Sequence, residues 1–304
     1  MDFLNQNLLQ LTDNYEYAIA LGNFDGMHLG HRCVIDTAKI KAQHFNCKSA
    51  VFTFWPHPNK VLMQQQFNAI LSLEEKISMI KEVGVDEVFI IDFTSDFAKT
   101  TAEEFVNHLC QKFKIKSITT GYNFRFGHNR HGNIETLNRL KRHYGFEYNA
   151  INQIFIDGSI VSSSVLRKFL QIGCVNLFSE FTSKRYAVDC KISNPNNIEA
   201  FNTFKSVNQH AVFASITKDK NIILPTSATY LVQIQQDYFC LFLQNNGGLF
   251  LIPIESQEIK LENTFKVEIL QIINQYKYLD KYSENELLIK DCIKKTTQYL
   301  KTIN

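Results

Sequence analysis

The sequence predicts an α/β fold in two parts: a parallel sheet flanked by helices, then a smaller antiparallel β domain closed by a C-terminal helix. Three observations predict it. Apolar runs at 17–21, 49–54, 86–91 and 115–120 alternate with helix-like stretches at 31–44, 73–83 and 101–113. Such alternation belongs to parallel sheets covered on both faces. Ten of the twelve glycines fall at or before Gly173, so the sharp turns that such a sheet needs are concentrated there. From residue 187 the texture changes, with short apolar runs at 211–216, 229–235, 238–243 and 249–254 punctuated by polar or turn residues, as in a compact antiparallel domain.

Taken in order, the first strand leads into Gly22-Asn-Phe-Asp-Gly-Met-His-Leu-Gly-His31 and then into a helix. Strand, glycine-rich turn and helix together place unpaired N–H groups and a positive dipole end where phosphate is well received. Gly22, Gly26 and Gly30 allow close backbone approach, and His28 and His31 can donate hydrogen bonds to phosphate oxygens. The spacing looks like the HxGH signature of nucleotidyltransferases. The second strand ends in Thr53-Phe-Trp-Pro-His-Pro58, whose prolines stiffen the exit loop. Trp55 and His57 there can face a ligand, or the Trp can simply pack in a core. Leu73, Ile77 and Ile80 form a helical apolar stripe closed by Gly84, a C-cap residue.

The fourth strand ends in Gly121-Tyr-Asn-Phe-Arg-Phe-Gly127. Tyr122 and Phe124 offer stacking surfaces, with Asn123 and Arg125 as polar handles for a planar ring and a phosphate; an aromatic strand end with a solvated Arg fits equally. The run His128-Asn-Arg-His131 reads as an anion-contacting loop or a surface turn. Ser162, Ser163 and Ser164 open a further helix with Arg167 one turn on. Hydroxyls at a helix start commonly cap it; with Arg167 they can also bind a triphosphate tail. A closing helix is expected over 283–300 from the spacing of Leu287, Leu288, Cys292 and Ile293, and a loop at 193–197.

Composition narrows the class. Hydrophobic residues make up 45% and charged residues 20%, with a net charge of +2, normal for a soluble globular protein. Nothing in that charge calls for a nucleic-acid or membrane partner. The N-terminus lacks a signal peptide's basic flank and apolar core, and no apolar run approaches the roughly 18 residues of a membrane span. Seven scattered cysteines without a CxxC pair point to reduced thiols in a cytoplasm and against a zinc site.

The four segments at 22–31, 53–58, 121–127 and 161–167, in this order, resemble the N-terminal half of bacterial FAD synthetases, the bifunctional riboflavin kinase/FMN adenylyltransferases. Leu71-Ser-Leu-Glu-Glu-Lys76 and Thr101-Ala-Glu-Glu-Phe105 add to the likeness, which covers about 1–173. The resemblance implies a Rossmann-like nucleotidyltransferase domain over 1–183 and a kinase-like β-barrel domain over 187–304. It implies Mg·ATP and FMN as substrates and FAD as product, without a dedicated protein metal site. It further implies catalytic roles for His28, His31, Asn123 and Arg167. Gly22, Asn23, Phe24, Asp25, Gly30, Ser162, Ser163 and Ser164 are then expected around ATP, and Trp55, His57, Pro58, Tyr122, Phe124 and Arg125 around the flavin. Small molecules are the expected partners.

The resemblance fails in the second part. The family's kinase carries a glycine-rich segment and a Pro-Thr-Ala-Asn motif that should fall near 195–210, and a glutamate base. Pro195 to Val207 contains no glycine, and a side chain at those positions would block close backbone–phosphate approach. Leu224 to Val232 resembles a kinase strand that has lost its glycine, and Tyr278 to Leu300 the closing helix. Glu255 and Glu258 are candidate bases outside any motif. The sequence thus points to an adenylyltransferase whose kinase activity is lost. The alternatives are a bifunctional enzyme, another nucleotidyltransferase, or a flavin- or nucleotide-binding protein whose second domain docks a partner.

Overall fold

The computed structural model describes residues 15–63, 67–194, 198–217, 222–244, 248–255, 261–275 and 286–303. The chain divides into two units, Met1–Ser163 and Ser164–Asn304.

In the first unit, β1 (Glu16–Leu21), β2 (Lys48–Trp55), β3 (Glu87–Asp92), β4 (Lys114–Gly121) and β5 (Glu147–Ile151) form one sheet in the order β3-β2-β1-β4-β5. All pairs are parallel. The chain leaves β1 towards β2 and later returns to its other side as β4, so the strand order reverses at β1. Ligands bind beyond the strand C-termini at such a switch point, and residues 22–28 lie there.

Alternating side chains feed the two faces of the sheet. Tyr17, Ile19, Leu21, Phe52, Phe54, Phe89 and Ile118 share a core with Phe105, Val106 and Leu109 of α4 (Ala102–Lys112) and Leu137 and Leu140 of α5 (Ile134–Tyr144). α1 (Leu29–Phe45) packs on β1, β2 and β4 and buries Val34, Ile35, Ala38 and Ala42. The expected strands and helices occur within a residue or two of their limits. β5, α5 and the two-residue hairpin strands β6 (Phe155–Ile156) and β7 (Ser159–Ile160) were not expected, because their alternation is too short or too polar to register.

The second unit is a closed six-stranded antiparallel barrel in the order β10-β11-β12-β9-β8-β13. Its strands are β8 (Tyr186–Ile192), β9 (Val212–Ile216), β10 (Ala228–Ile234), β11 (Asp237–Leu243), β12 (Gly248–Pro253) and β13 (Thr264–Gln275). Four of these coincide with the expected runs. β8 and β13 carry charged residues at alternate positions, which hid them. α6 (Ser163–Ile172) and α7 (Val175–Thr182) pack with the barrel. A Cβ on Gly173 would lie 2.6 Å from Ile272 Cδ1, and the Phe178 and Tyr186 rings meet edge to face at 5.1 Å. Residues 164–182, assigned to the first domain from sequence, are therefore grouped with the barrel by packing.

Residues 198–207, within the stretch where the kinase's glycine-rich motif is expected, form α8 (Ile198–Val207). Its Phe204 is buried and stacks on Phe250 at 4.2 Å with an 8° interplanar angle. The closing helix is α9 (Glu286–Ile303); its expected first residues, 283–285, lie outside the described residues, as do 195–197 of the expected loop, Tyr278 and Glu258. Glu255 is exposed. Among the described residues no helix is long and apolar enough to cross a membrane.

Candidate active site

The histidine turn is built by the helix it opens. His28 is the N-cap of α1, in extended conformation, and its Nδ1 accepts the His31 backbone N–H at 3.2 Å. This fills one of the orphan donors of the first turn and explains the three-residue spacing. The cap fixes the neutral tautomer as well: with Nδ1 accepting, the proton sits on Nε2. The two imidazoles stack at 3.6 Å and 18°. Gly30 makes room, since a Cβ there would lie 3.1 Å from the His28 ring. Upstream, Gly26 takes φ +86°, and buried Phe24 meets the His31 ring edge to face at 5.3 Å.

Burial keeps the pair uncharged. It pushes His28 down to about 4, and it pushes His31 well below the ordinary histidine range, with His28 and Lys76 adding to the effect. At neutral pH both rings therefore act as neutral hydrogen-bonding groups. His31 Nδ1 and Asn23 Oδ1 are buried without a hydrogen-bond partner among the described residues. Unsatisfied buried polar atoms are uncommon in folded proteins, and two on one turn leave hydrogen bonds for a ligand to complete.

Asp25 ties the surrounding loops to this turn. Its Oδ1 accepts the N–H groups of Ile70 (2.9 Å) and Leu71 (3.3 Å), its Oδ2 lies 3.8 Å from His57 Nε2, and its carbonyl accepts the Ser163 hydroxyl at 2.8 Å. His57 caps α2 (Pro58–Leu62) through Nδ1, which accepts the Asn59 N–H at 3.1 Å. That leaves its Nε2–H directed to Asp25, and its ring stacks on Phe67 at 4.2 Å. Pro58 opens α2, and half-buried Trp55 ends β2.

In the segment after β4, Tyr122, Asn123 and Arg125 are exposed. Phe124 stacks on Phe126 at 5.5 Å and packs against the core that Phe126 enters, so this aromatic pair serves the fold at least in part. Among the described residues no hydrogen bond joins Asn123 or Arg125 to the histidine pair. Ser162 and Ser163 close the first unit, whereas Ser164 and Arg167 belong to the second. Lys76, on α3 (Leu73–Glu82), is a residue that the sequence reading assigned no role. It is fully buried, and its Nζ donates to the Phe54 carbonyl at 3.3 Å. Its only sequence signal is its place in the 71–76 segment.

A parallel sheet with a glycine turn at its switch point, opening a helix through an HxGH cap, defines a nucleotidyltransferase-type domain. The family model described as FAD synthetase matches residues 10–165, and the chain belongs to that family. A bifunctional riboflavin kinase/FMN adenylyltransferase from Buchnera aphidicola (subsp. Acyrthosiphon pisum) is 28% identical over 88% of this chain and 80% of its own length. The protein of the same description from Escherichia coli K12 is 30% identical over 57% of this chain and 56% of its own. A crystal structure of a Streptococcus pneumoniae protein described as a macrolide-efflux protein superposes with a TM-score of 0.76 at 19% identity, covering 94% of this chain and 96% of that one. This last likeness speaks for the fold alone.

Proposed function

We propose that the chain is an FMN adenylyltransferase. A phosphate oxygen of FMN attacks the α-phosphorus of ATP, a new P–O bond forms, pyrophosphate leaves and FAD results. The observation that carries this reading is the neutral, stacked His28/His31 pair at the start of α1, with His28 Nε2–H and the helix N–H groups available to developing phosphate charge. No covalent enzyme intermediate is required, so catalysis is positioning and charge stabilisation.

In this reading His28 and His31 hold the reacting phosphates, and Gly22, Asn23, Phe24, Asp25 and Gly30 border the nucleotide. Asn123 receives the flavin phosphate. Ser162, Ser163, Ser164 and Arg167 receive the pyrophosphate end, which makes 1–183 the functional adenylyltransferase segment. Trp55, His57, Pro58, Tyr122, Phe124 and Arg125 face the isoalloxazine side. ATP enters as Mg·ATP, its Mg²⁺ held by phosphate oxygens and water, in keeping with that ion's preferences. The seven free cysteines suit a reducing cytoplasm as the place of action.

The second unit is assigned no riboflavin kinase activity. Support comes from α8, which places a helix, and not a glycine loop, in the region where the kinase motif is expected, with Phe204 committed to the hydrophobic core. The test supplies purified protein with Mg·ATP and either FMN or riboflavin and separates the products by chromatography. FAD from FMN with riboflavin unchanged is expected. FMN or FAD formed from riboflavin overturns the kinase assignment; tight substrate binding with no product in either tube overturns the enzymatic one.

A further inference from the structure

Lys76 stands apart from every other lysine in the first unit. Its side chain is wholly removed from solvent, yet its ammonium has three N–H donors and, among the described residues, one hydrogen-bond acceptor, the Phe54 carbonyl at 3.3 Å. The face of the Trp55 ring lies 5.4 Å from Nζ. Burying an ammonium is costly unless it is paired and hydrogen-bonded, so retaining one here calls for a compensating partner. Nζ lies within electrostatic range of two residues of the histidine turn, Asp25, which favours its charged form, and His31, whose protonation it opposes. The turn itself carries no resident cation, because burial keeps both histidines neutral.

We infer that Lys76 supplies the standing positive charge that draws the anionic substrate phosphates to the histidine turn, its ammonium being fully compensated only when the nucleotide is bound. The inference rests on the adenylyltransferase reading and deepens it by naming a positioning residue. Asp25 offsets part of the ammonium's charge in the free protein, but its Oδ1 is already engaged by Ile70 and Leu71 and its Oδ2 faces His57. A polyanion arriving at His28 and His31 meets a cation already in place, at no cost in ordering a long side chain.

The charge is also conditional on pH. Desolvation pushes Lys76 down to about 8, so its ammonium is lost in mildly alkaline solution. The titratable groups that interact with it are Asp25 on the turn and His31 on α1, and Glu74 and Glu75 precede it on its own helix. On neighbouring β3, Glu87 pairs with Lys48 and Asp92 is exposed. Burial pushes His28 and His31 down, so of the groups that desolvation shifts here Lys76 is the one that changes charge near pH 8.

The test measures Mg·ATP affinity by calorimetry from about pH 7 to 9.5 for the wild type, Lys76→Met and Lys76→Arg. Wild-type affinity is expected to fall about tenfold or more across this range. Lys76→Met is expected to be weaker by a similar factor at neutral pH and insensitive to the rise. Lys76→Arg, whose guanidinium stays charged, is expected to lose the alkaline fall. Equal affinity of Lys76→Met and wild type at neutral pH overturns the inference. Should the Met variant not fold, a flat wild-type profile overturns it and a fall removed by Arg supports it. If the wild type binds Mg·ATP but makes no FAD from FMN, the enzymatic reading fails, while the binding comparison still decides the role of Lys76.

Discussion

The two units present helices to the same kind of task with opposite results. α1 of the first unit begins at a His cap with Gly30 two residues on, which leaves room for the His28 ring, and two imidazoles stack there. α8 of the second unit occupies the region where a phosphate loop is expected, but it contains no glycine and turns Phe204 inward against Phe242 and Phe250. A helix start receives phosphate only where small residues and polar side chains leave it open; a helix turned into a core by aromatics contributes stability instead. The same chain therefore holds one region organised around an unfilled polar site and another organised around packing.

That contrast is broken most forcefully at Phe204. Phe204→Ala removes a fully buried ring from the barrel core and is expected to cost about 3–5 kcal/mol of second-unit stability, read from urea unfolding followed by far-UV circular dichroism. FAD formation per folded molecule should stay within about twofold of wild type, because Phe204 packs among barrel residues that are assigned no role in adenylyl transfer. A rate that falls with the stability would mean that the barrel core takes part in adenylyl transfer.

The converse substitution is His28→Asn. Asn is a good N-cap, so α1 should keep its start, while the Nε2–H donor disappears. Loss of about 10²-fold or more in kcat/KM is expected, with the unfolding midpoint at neutral pH close to wild type. A variant that keeps its activity would remove His28 from the reaction.

The two units also differ in how far they could be read from sequence. The strand–helix alternation of the first unit was legible because fully buried parallel strands such as β1 and β2 are continuous apolar runs, and because HxGH carries its own spacing. Its physical origin was not legible: that His28 caps His31, and that Gly30 admits the ring, emerges only when the backbone is traced. Lys76 escaped notice because one lysine in a helix otherwise reads as a solvated charge; burial is a property of the assembled core. In the second unit β13 is hidden because Lys266, Glu268 and Gln271 interrupt its apolar residues, and α8 because Asn202, Thr203 and Ser206 are weak helix formers.

The smallest expected effect tests the electrostatics of the histidine pair. In the folded protein His28 titrates near 4, against the usual 6.5, so the unfolded chain binds a proton in this window that the folded one refuses. Stability is then fully present above about pH 6.5 and is lost as pH falls through about 4. Between about pH 6.5 and 5 the His28 contribution to this loss is on the order of 1–2 kcal/mol. Trp55, the only tryptophan, lies on β2 and reports the first unit alone, so its fluorescence can follow urea unfolding at each pH. His28→Asn removes the titrating ring and should flatten the acid slope while leaving the neutral value in place. Parallel slopes in the two proteins would mean that His28 takes up its proton equally in the folded and the unfolded chain, and burial would then not be what holds the pair neutral.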